Sequence, residues 1–170
     1  MITRPGPGFA LAHPAHFIAL GFGTGLAPLA PGTVGTLLAF PLFILLGGLL
    51  PTVSLFGVVV PLYLFGVIVL FFGIGVWACA RTGRDLGIAD HSAMNWDEVV
   101  AMLLILAFTP SSWVWWAFAF FAFRFFDVVK PQPIRHIDRT MKGGLGVMFD
   151  DIVAAFYTLL LVAAVKRFLG

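Results

Sequence analysis

From residue 5 to residue 80 the chain carries no charged side chain, and the apolar residues run almost without interruption. Pro51-Thr52 is a turn signal inside that run, dividing residues 34–50 from residues 53–80. Each part has about the 17–25 residues that a membrane-spanning helix requires, the second slightly more. Residues 8–33 read differently. The stretch GFGTGLAPLAPGTVG is too rich in glycine and proline for a stable span, and an irregular segment at or near the interface is expected. Backbone of that kind is tolerated at membrane depth only where protein buries it or water reaches it. A polar segment at 81–98 precedes a second uncharged run at 99–123, interrupted by Pro110 between Thr109 and Ser111-Ser112. That punctuation predicts two helices meeting at a turn. A second polar segment covers 124–151, and residues 152–165 form a last short apolar helix.

Topology decides how the run at 99–123 is read. One straight helix from Asp97 to Asp127 would separate them by roughly 45 Å, on opposite membrane faces. A reversal at Pro110 returns both to one face, together with the N-terminal glycine loop and both polar segments. The first arm of that hairpin has about eleven residues, or roughly 17 Å, and so dips into the ~30 Å hydrocarbon core without crossing it. The expected fold is therefore all-α: a polytopic membrane helical bundle with a re-entrant or short helical hairpin. Arg124, Lys130, Arg135, Arg139 and Lys142 place the shared face on the cytoplasmic side, while Lys166 and Arg167 fall on the far side against the same rule.

Composition supports the same class. Of 170 residues, 61% are hydrophobic and 11% charged, against about 25% charged in a soluble domain. A soluble chain of this size has too little interior to hide that surface. The length fits one domain, 1–170. A net charge of +2 without a basic stripe gives no nucleic-acid partner. Cys79, the single cysteine, reads as a small buried hydrophobe. The N-terminus lacks a compact basic-then-apolar segment with a small-residue cleavage site and is read as uncleaved. Oligomeric state is not legible.

Eight carboxylates exist: Asp85, Asp90, Asp97, Glu98, Asp127, Asp138, Asp150 and Asp151. Five abut apolar helices, where an ionised group is expensive and by default functional. Asp97-Glu98 opens the helix from Val99, Asp127 lies three residues before Lys130, and Asp150-Asp151 opens the final helix. Structural readings stand beside each. Asn95 with Glu98 has capping-box spacing, Asp150 has the place of a cap, and Asp127 with Lys130 makes an ordinary ion pair. The set tips the balance: three acidic sites brought to one face repel one another unless a hard cation such as Mg²⁺ joins them. Lys130, Arg135 and Arg139 supply the opposite charge that phosphate needs. Arg135, Asp138 and Arg139 equally fit a solvated cluster. The segment 31–36, PGTVGT, with Thr33 inside it, precedes a helix and reads either as a plain turn or as an N-terminus that receives an anion, and KGGLG at 142–146 reads either as a flexible hinge or as an anion-binding nest. His13 and His16 are expected at the interface and His91 in a surface turn. Arg81, Arg84 and Asp85 are expected as a solvated helix end.

Four segments together resemble the phosphatidylglycerophosphatase A family: GFGTGLAPLAPGTVGT at 21–36, DHSAMNWDEVVAM at 90–102, FRFFDVVKPQPIRHIDR at 123–139 and GGLGVMFDDIVAAF at 143–156. The resemblance implies a Mg²⁺-dependent hydrolase of the bacterial cytoplasmic membrane acting on a glycerophospholipid. It converts phosphatidylglycerophosphate to phosphatidylglycerol and inorganic phosphate. The family motifs fall on Trp96-Asp97-Glu98, Asp127, Lys130-Pro131, Arg135, Asp138-Arg139 and Asp150-Asp151. The expected metal ligands are Glu98, Asp127, Asp150 and Asp151, with Asp97 beside them. Lys130, Arg135, Arg139 and Thr33 are the expected phosphate contacts. An ion- or proton-coupled transporter is the competing class, since it also sets acids among apolar helices. Neither the DG…AR…G…D…D pattern of CDP-alcohol phosphotransferases nor the PSGH-type segment of histidine phosphatases is present.

Overall fold

The computed structural model describes residues 4–49, 53–55, 58–60 and 62–169. Prolines set the start of the chain. Pro7 and Pro14 each open a six-residue helix, α1 (Pro7–Ala12) and α2 (Pro14–Ala19), because a fixed φ and a missing N–H suit the first helical position. A 3₁₀ segment, Gly21–Leu26, follows, and within it Phe22 and Gly23 take positive φ values of 56° and 97°. The expected irregular segment is thus three short helical pieces, none long enough to span. Pro31 opens the next helix, α3 (Pro31–Leu49).

The second expected span is divided. Its first part forms a two-stranded antiparallel hairpin, β1 (Val53–Leu55) and β2 (Val58–Val60), with Val53 opposite Val60 and Leu55 opposite Val58. Apart from this hairpin every described element is helical, as the all-α expectation has it. The turn expected at Pro51-Thr52 lies outside the described residues. The helix itself, α4 (Leu62–Leu86), continues past Ala80 into the charged residues. Arg81 and Asp85 pair one turn apart at 2.8 Å, and the end closes with Ile88 N–H on the Gly83 carbonyl and Gly87 N–H on that of Arg84. Gly87 takes the φ of +71° that this terminating motif needs.

The reversal at Pro110 is present: α5 (Trp96–Phe108) and α6 (Trp113–Val129) form the short helical hairpin. α5 is the centre of the molecule, and every residue from Val99 to Ala107 is buried. A helix apolar on all sides has no solvated face to offer; α3, α4 and α8 enclose this one. After α7 (Ile134–Thr140), α8 (Gly144–Leu169) starts eight residues earlier than the expected helix at 152–165. Gly144 permits that start, since a Cβ there would overlap the Val76 carbonyl and Ala80 of α4. Asp150 and Asp151 accordingly sit inside the helix instead of opening or capping it.

Two helices, Tyr63–Leu86 and Gly144–Phe168, are long and apolar enough to cross a membrane. The outer surface carries Phe65, Val69 and Leu70 of α4, Phe121, Phe125 and Val128 of α6, and Phe156 and Leu160 of α8, all exposed. Apolar surface on that scale marks a membrane or partner contact.

Candidate active site

Asn95, the N-cap of α5, fixes where the acids stand. It makes no side-chain cap, so the capping-box expectation is corrected. Its buried amide instead donates to Thr24 Oγ1 (3.0 Å) and the Pro31 carbonyl (2.8 Å), and its backbone N–H reaches the Ala19 carbonyl (2.9 Å). The glycine-rich segment closes around it. A Cβ on Gly35 would press into the Asn95 side chain, and one on Gly32 would overlap Glu98 Oε1. Glycine at 32 and 35 is therefore a packing requirement that lets the N-terminus of α3 lie against the start of α5.

The resulting cavity has a volume of about 290 Å³. α5 contributes Asp97 and Glu98, α6 contributes Arg124, Asp127 and Lys130, and α8 contributes Asp150 and Asp151. Asp90, Ser92 and Met94 line it from the loop before α5, and Ala30 to Gly32 from the start of α3. Six carboxylates thus face two cations.

Each cation is held between two acids. Arg124 Nη1 reaches Glu98 Oε1 at 2.9 Å and Asp127 Oδ2 at 2.8 Å, with Thr36 Oγ1 at 3.5 Å. Lys130 Nζ reaches Asp150 Oδ2 at 2.6 Å and Asp138 Oδ1 at 2.8 Å. The expected Asp127–Lys130 pair is not formed. Lys130 leaves the helix in the left-handed conformation (φ 45°, ψ 65°), which costs a non-glycine residue about 1–2 kcal/mol. Its amine therefore joins α8 and α7, and Asp127 pairs one turn back with Arg124. Burial opposes the lysine's charge, but the bonds to Asp138 and Asp150 outweigh it and hold its pKa above the ordinary value. Those bonds also replace the expected solvated cluster at Asp138.

Four carboxylate oxygens remain buried without a partner: Asp97 Oδ1, Glu98 Oε2, Asp150 Oδ1 and Asp151 Oδ2. Buried polar groups are ordinarily satisfied, and an unpaired charged one is costly. Hard oxygen donors of this kind suit a divalent cation. Among the described residues no three acidic, histidine or cysteine side chains already form a group that could hold one ion. The donor chemistry and the orphaned oxygens fit such an ion without making a closed coordination shell.

The structure thus brings Asp97, Glu98, Asp127, Lys130, Asp150 and Asp151 together. Thr33 is half-buried beside Gly32 and does not line the cavity. Arg135 and Arg139 are exposed on α7 and lie outside the lining, with Arg135 Nη2 on the Val129 carbonyl at 3.3 Å. Arg124, expected only as a topological charge, lines the cavity; its i, i+3 spacing to Asp127 is the signal in the sequence. His91 is buried, its Nδ1 accepting from Ala93 N–H at 3.0 Å. His16 is buried as well, stacked on Phe9 and bonded to Asp85 at 2.8 Å.

The fold and the site define a helical protein with an apolar exterior and an acid-lined cavity countered by an arginine and a lysine. The family model described as phosphatidylglycerophosphatase A matches residues 17–166. The chain belongs to the phosphatidylglycerophosphatase A family and is a phosphatase. It is 41% identical over 158 residues to phosphatidylglycerophosphatase A of Haemophilus influenzae, covering 92% of this chain and 91% of that protein. To phosphatidylglycerophosphatase A of Escherichia coli it is 40% identical over 161 residues, covering 94% and 86%. A Bacteroides thetaiotaomicron protein provisionally described as a phosphatidylinositol-3-phosphatase is 39% identical over 156 residues, covering 90% and 94%. No solved structure matches the chain. The transporter class finds no support among these relatives.

Proposed function

We propose that this chain is a metal-dependent, multi-pass enzyme of a bacterial cytoplasmic membrane, with its cavity on the cytoplasmic side. It hydrolyses the terminal phosphate of phosphatidylglycerophosphate to phosphatidylglycerol and inorganic phosphate. The observation that carries this reading is the convergence of buried acids from three helices, with unpartnered oxygens, on two cations in one cavity.

Phosphoryl transfer spreads charge over three equatorial oxygens, so catalysis is chiefly positioning and charge stabilisation. Lys130 and Arg124 grip the nonreacting oxygens, arginine by its planar fork. Arg135 and Arg139, outside the cavity, steer the anionic headgroup towards it. Glu98, Asp127, Asp150 and Asp151 would hold Mg²⁺, with Asp97 beside them, and the ion would supply the charge that activates water and polarises the phosphoryl group. Water attacks phosphorus directly, and Asp90, the one lining carboxylate outside this set, is the aspartate that a covalent route would call on. The bond from phosphorus to the glycerol oxygen breaks, and the departing oxygen takes a proton.

Phosphate release from phosphatidylglycerophosphate by the purified protein, with Mg²⁺ and with chelator, tests this. Release that needs Mg²⁺ is expected. Release indifferent to chelator would remove the metal, and turnover of phosphatidylinositol 3-phosphate in its place would reassign the substrate. A burst of phosphate retained on the protein would replace direct attack with a covalent intermediate.

A further inference from the structure

The acid cavity has a place for a headgroup phosphate, but it is too polar for acyl chains. α3 and α6 both terminate at it, α3 by Gly32 and α6 by Arg124 and Lys130. Leading away from the cavity they run antiparallel, and their facing residues step in register: Thr36 meets Arg124, Phe40 meets Phe120, and Phe43 meets Trp116. The ring centroids lie 6.2 Å apart at Phe40–Phe120, 6.0 Å at Phe40–Trp116 and 5.7 Å at Phe43–Trp116. The backbones themselves hardly approach, although each helix packs closely elsewhere, α3 on α5 and α6 on α8. Large rings bridge this seam.

One polar atom interrupts it. The Trp116 Nε1–H is buried and has no hydrogen-bond partner among the described residues. An indole N–H in an apolar setting ordinarily finds an acceptor. Its position is informative. Trp116 lies eight residues before Arg124, about 12 Å along the helix. In phosphatidylglycerophosphate about eleven bonds separate the terminal phosphorus from the carbonyl carbon of the sn-2 ester. At about 1.2 Å of advance per bond that span is roughly 13 Å when extended. The two lengths agree.

We propose that the α3–α6 seam is the lipid-binding groove of this phosphatase. A diacyl phospholipid enters between the two helices with its terminal phosphate at Arg124. Its acyl chains replace the ring contacts of Phe40 and Phe43 with Phe120 and Trp116, and an ester carbonyl accepts the Trp116 N–H. This inference rests on the substrate reading above.

The test compares ester-linked phosphatidylglycerophosphate with its dialkyl ether analogue, which has the same headgroup and no carbonyl, in detergent micelles. With wild-type protein the ether analogue should show a KM about fivefold higher, the equivalent of one modest hydrogen bond. Trp116→Phe, which keeps a ring and loses the N–H, should raise KM for the ester by the same factor and leave the ether analogue unchanged. Equal KM values for the two lipids in the wild type would overturn the groove without any variant being needed. So would a Trp116→Phe effect that strikes both lipids alike. Absence of all phosphate release from either lipid would instead defeat the substrate reading, and the groove with it.

Discussion

Two charged clusters in this protein join distant segments, and they differ in one respect. Around Asp85 no side-chain atom is buried without a partner: Oδ2 takes Arg81 and His16, each at 2.8 Å, and the His16 Nδ1 lies 3.0 Å from the Phe9 carbonyl. This cluster pins α2 to the end of α4. In the cavity between α5, α6 and α8, two cations satisfy part of an acidic set and four buried oxygens stay unpaired. A cluster that only holds elements together can be fully paired, because pairing is its whole purpose. Vacant lone pairs on buried acids are maintained against a desolvation cost and a mutual repulsion. The difference separates a fastening from a binding site without appeal to sequence likeness.

The largest expected effect comes from the orphaned side. Asp151→Asn, at a carboxylate with a buried unpartnered oxygen, should reduce phosphate release by about a hundred- to a thousandfold, as loss of a group acting on the reacting charge does, while membrane insertion stays intact. Near-normal turnover would take Asp151 out of the site. Lys130→Ala should cost less, about 10–150-fold in kcat/KM, the range for one charge-assisted hydrogen bond. An unchanged kcat/KM would reduce Lys130 to a strut between α7 and α8. Asn95→Ala sharpens the comparison differently, since Asn95 belongs to the scaffold. Leaving the Pro31 carbonyl and Thr24 without their donor should destabilise the fold by about 1–3 kcal/mol, read as a lower denaturation midpoint in detergent. A stability equal to wild type would show that the glycine segment docks without it.

Much of this contrast was legible in the chain. The apolar runs, the reversal at Pro110 and the convergence of Asp97, Glu98, Asp127, Asp150 and Asp151 followed from charge placement and helix length. What was hidden depended on contacts between distant segments. His16 and Asp85 are 69 residues apart, and no local pattern marks a histidine that will meet a carboxylate. The Lys130 partners were misread because helical spacing was extended one residue too far; a left-handed turn before Pro131 redirects the side chain. Arg124 was overlooked as a site residue because an arginine beside an aromatic run reads as an end marker. The start of α8 was placed late because the glycines at 143, 144 and 146 look like a loop. Here Gly144 instead allows close helix packing against α4.

Asp85→Asn is the smallest expected effect, and the sharpest on the distinction itself. Asparagine keeps an oxygen that can accept from His16 or Arg81 and removes the charge that both share. The last turn of α4 should loosen and thermal stability should fall slightly. Phosphate release should stay within about twofold of wild type, as for a surface substitution away from the chemistry. The paired measurement is therefore the ratio of activity loss to stability loss in Asp85→Asn and Asp151→Asn. Orphaned acids should lose activity without stability, and partnered acids the reverse. If Asp85→Asn abolished release while leaving the melting transition in place, full pairing would no longer identify a structural cluster. The End of α4 would then have to be counted as part of the catalytic machinery.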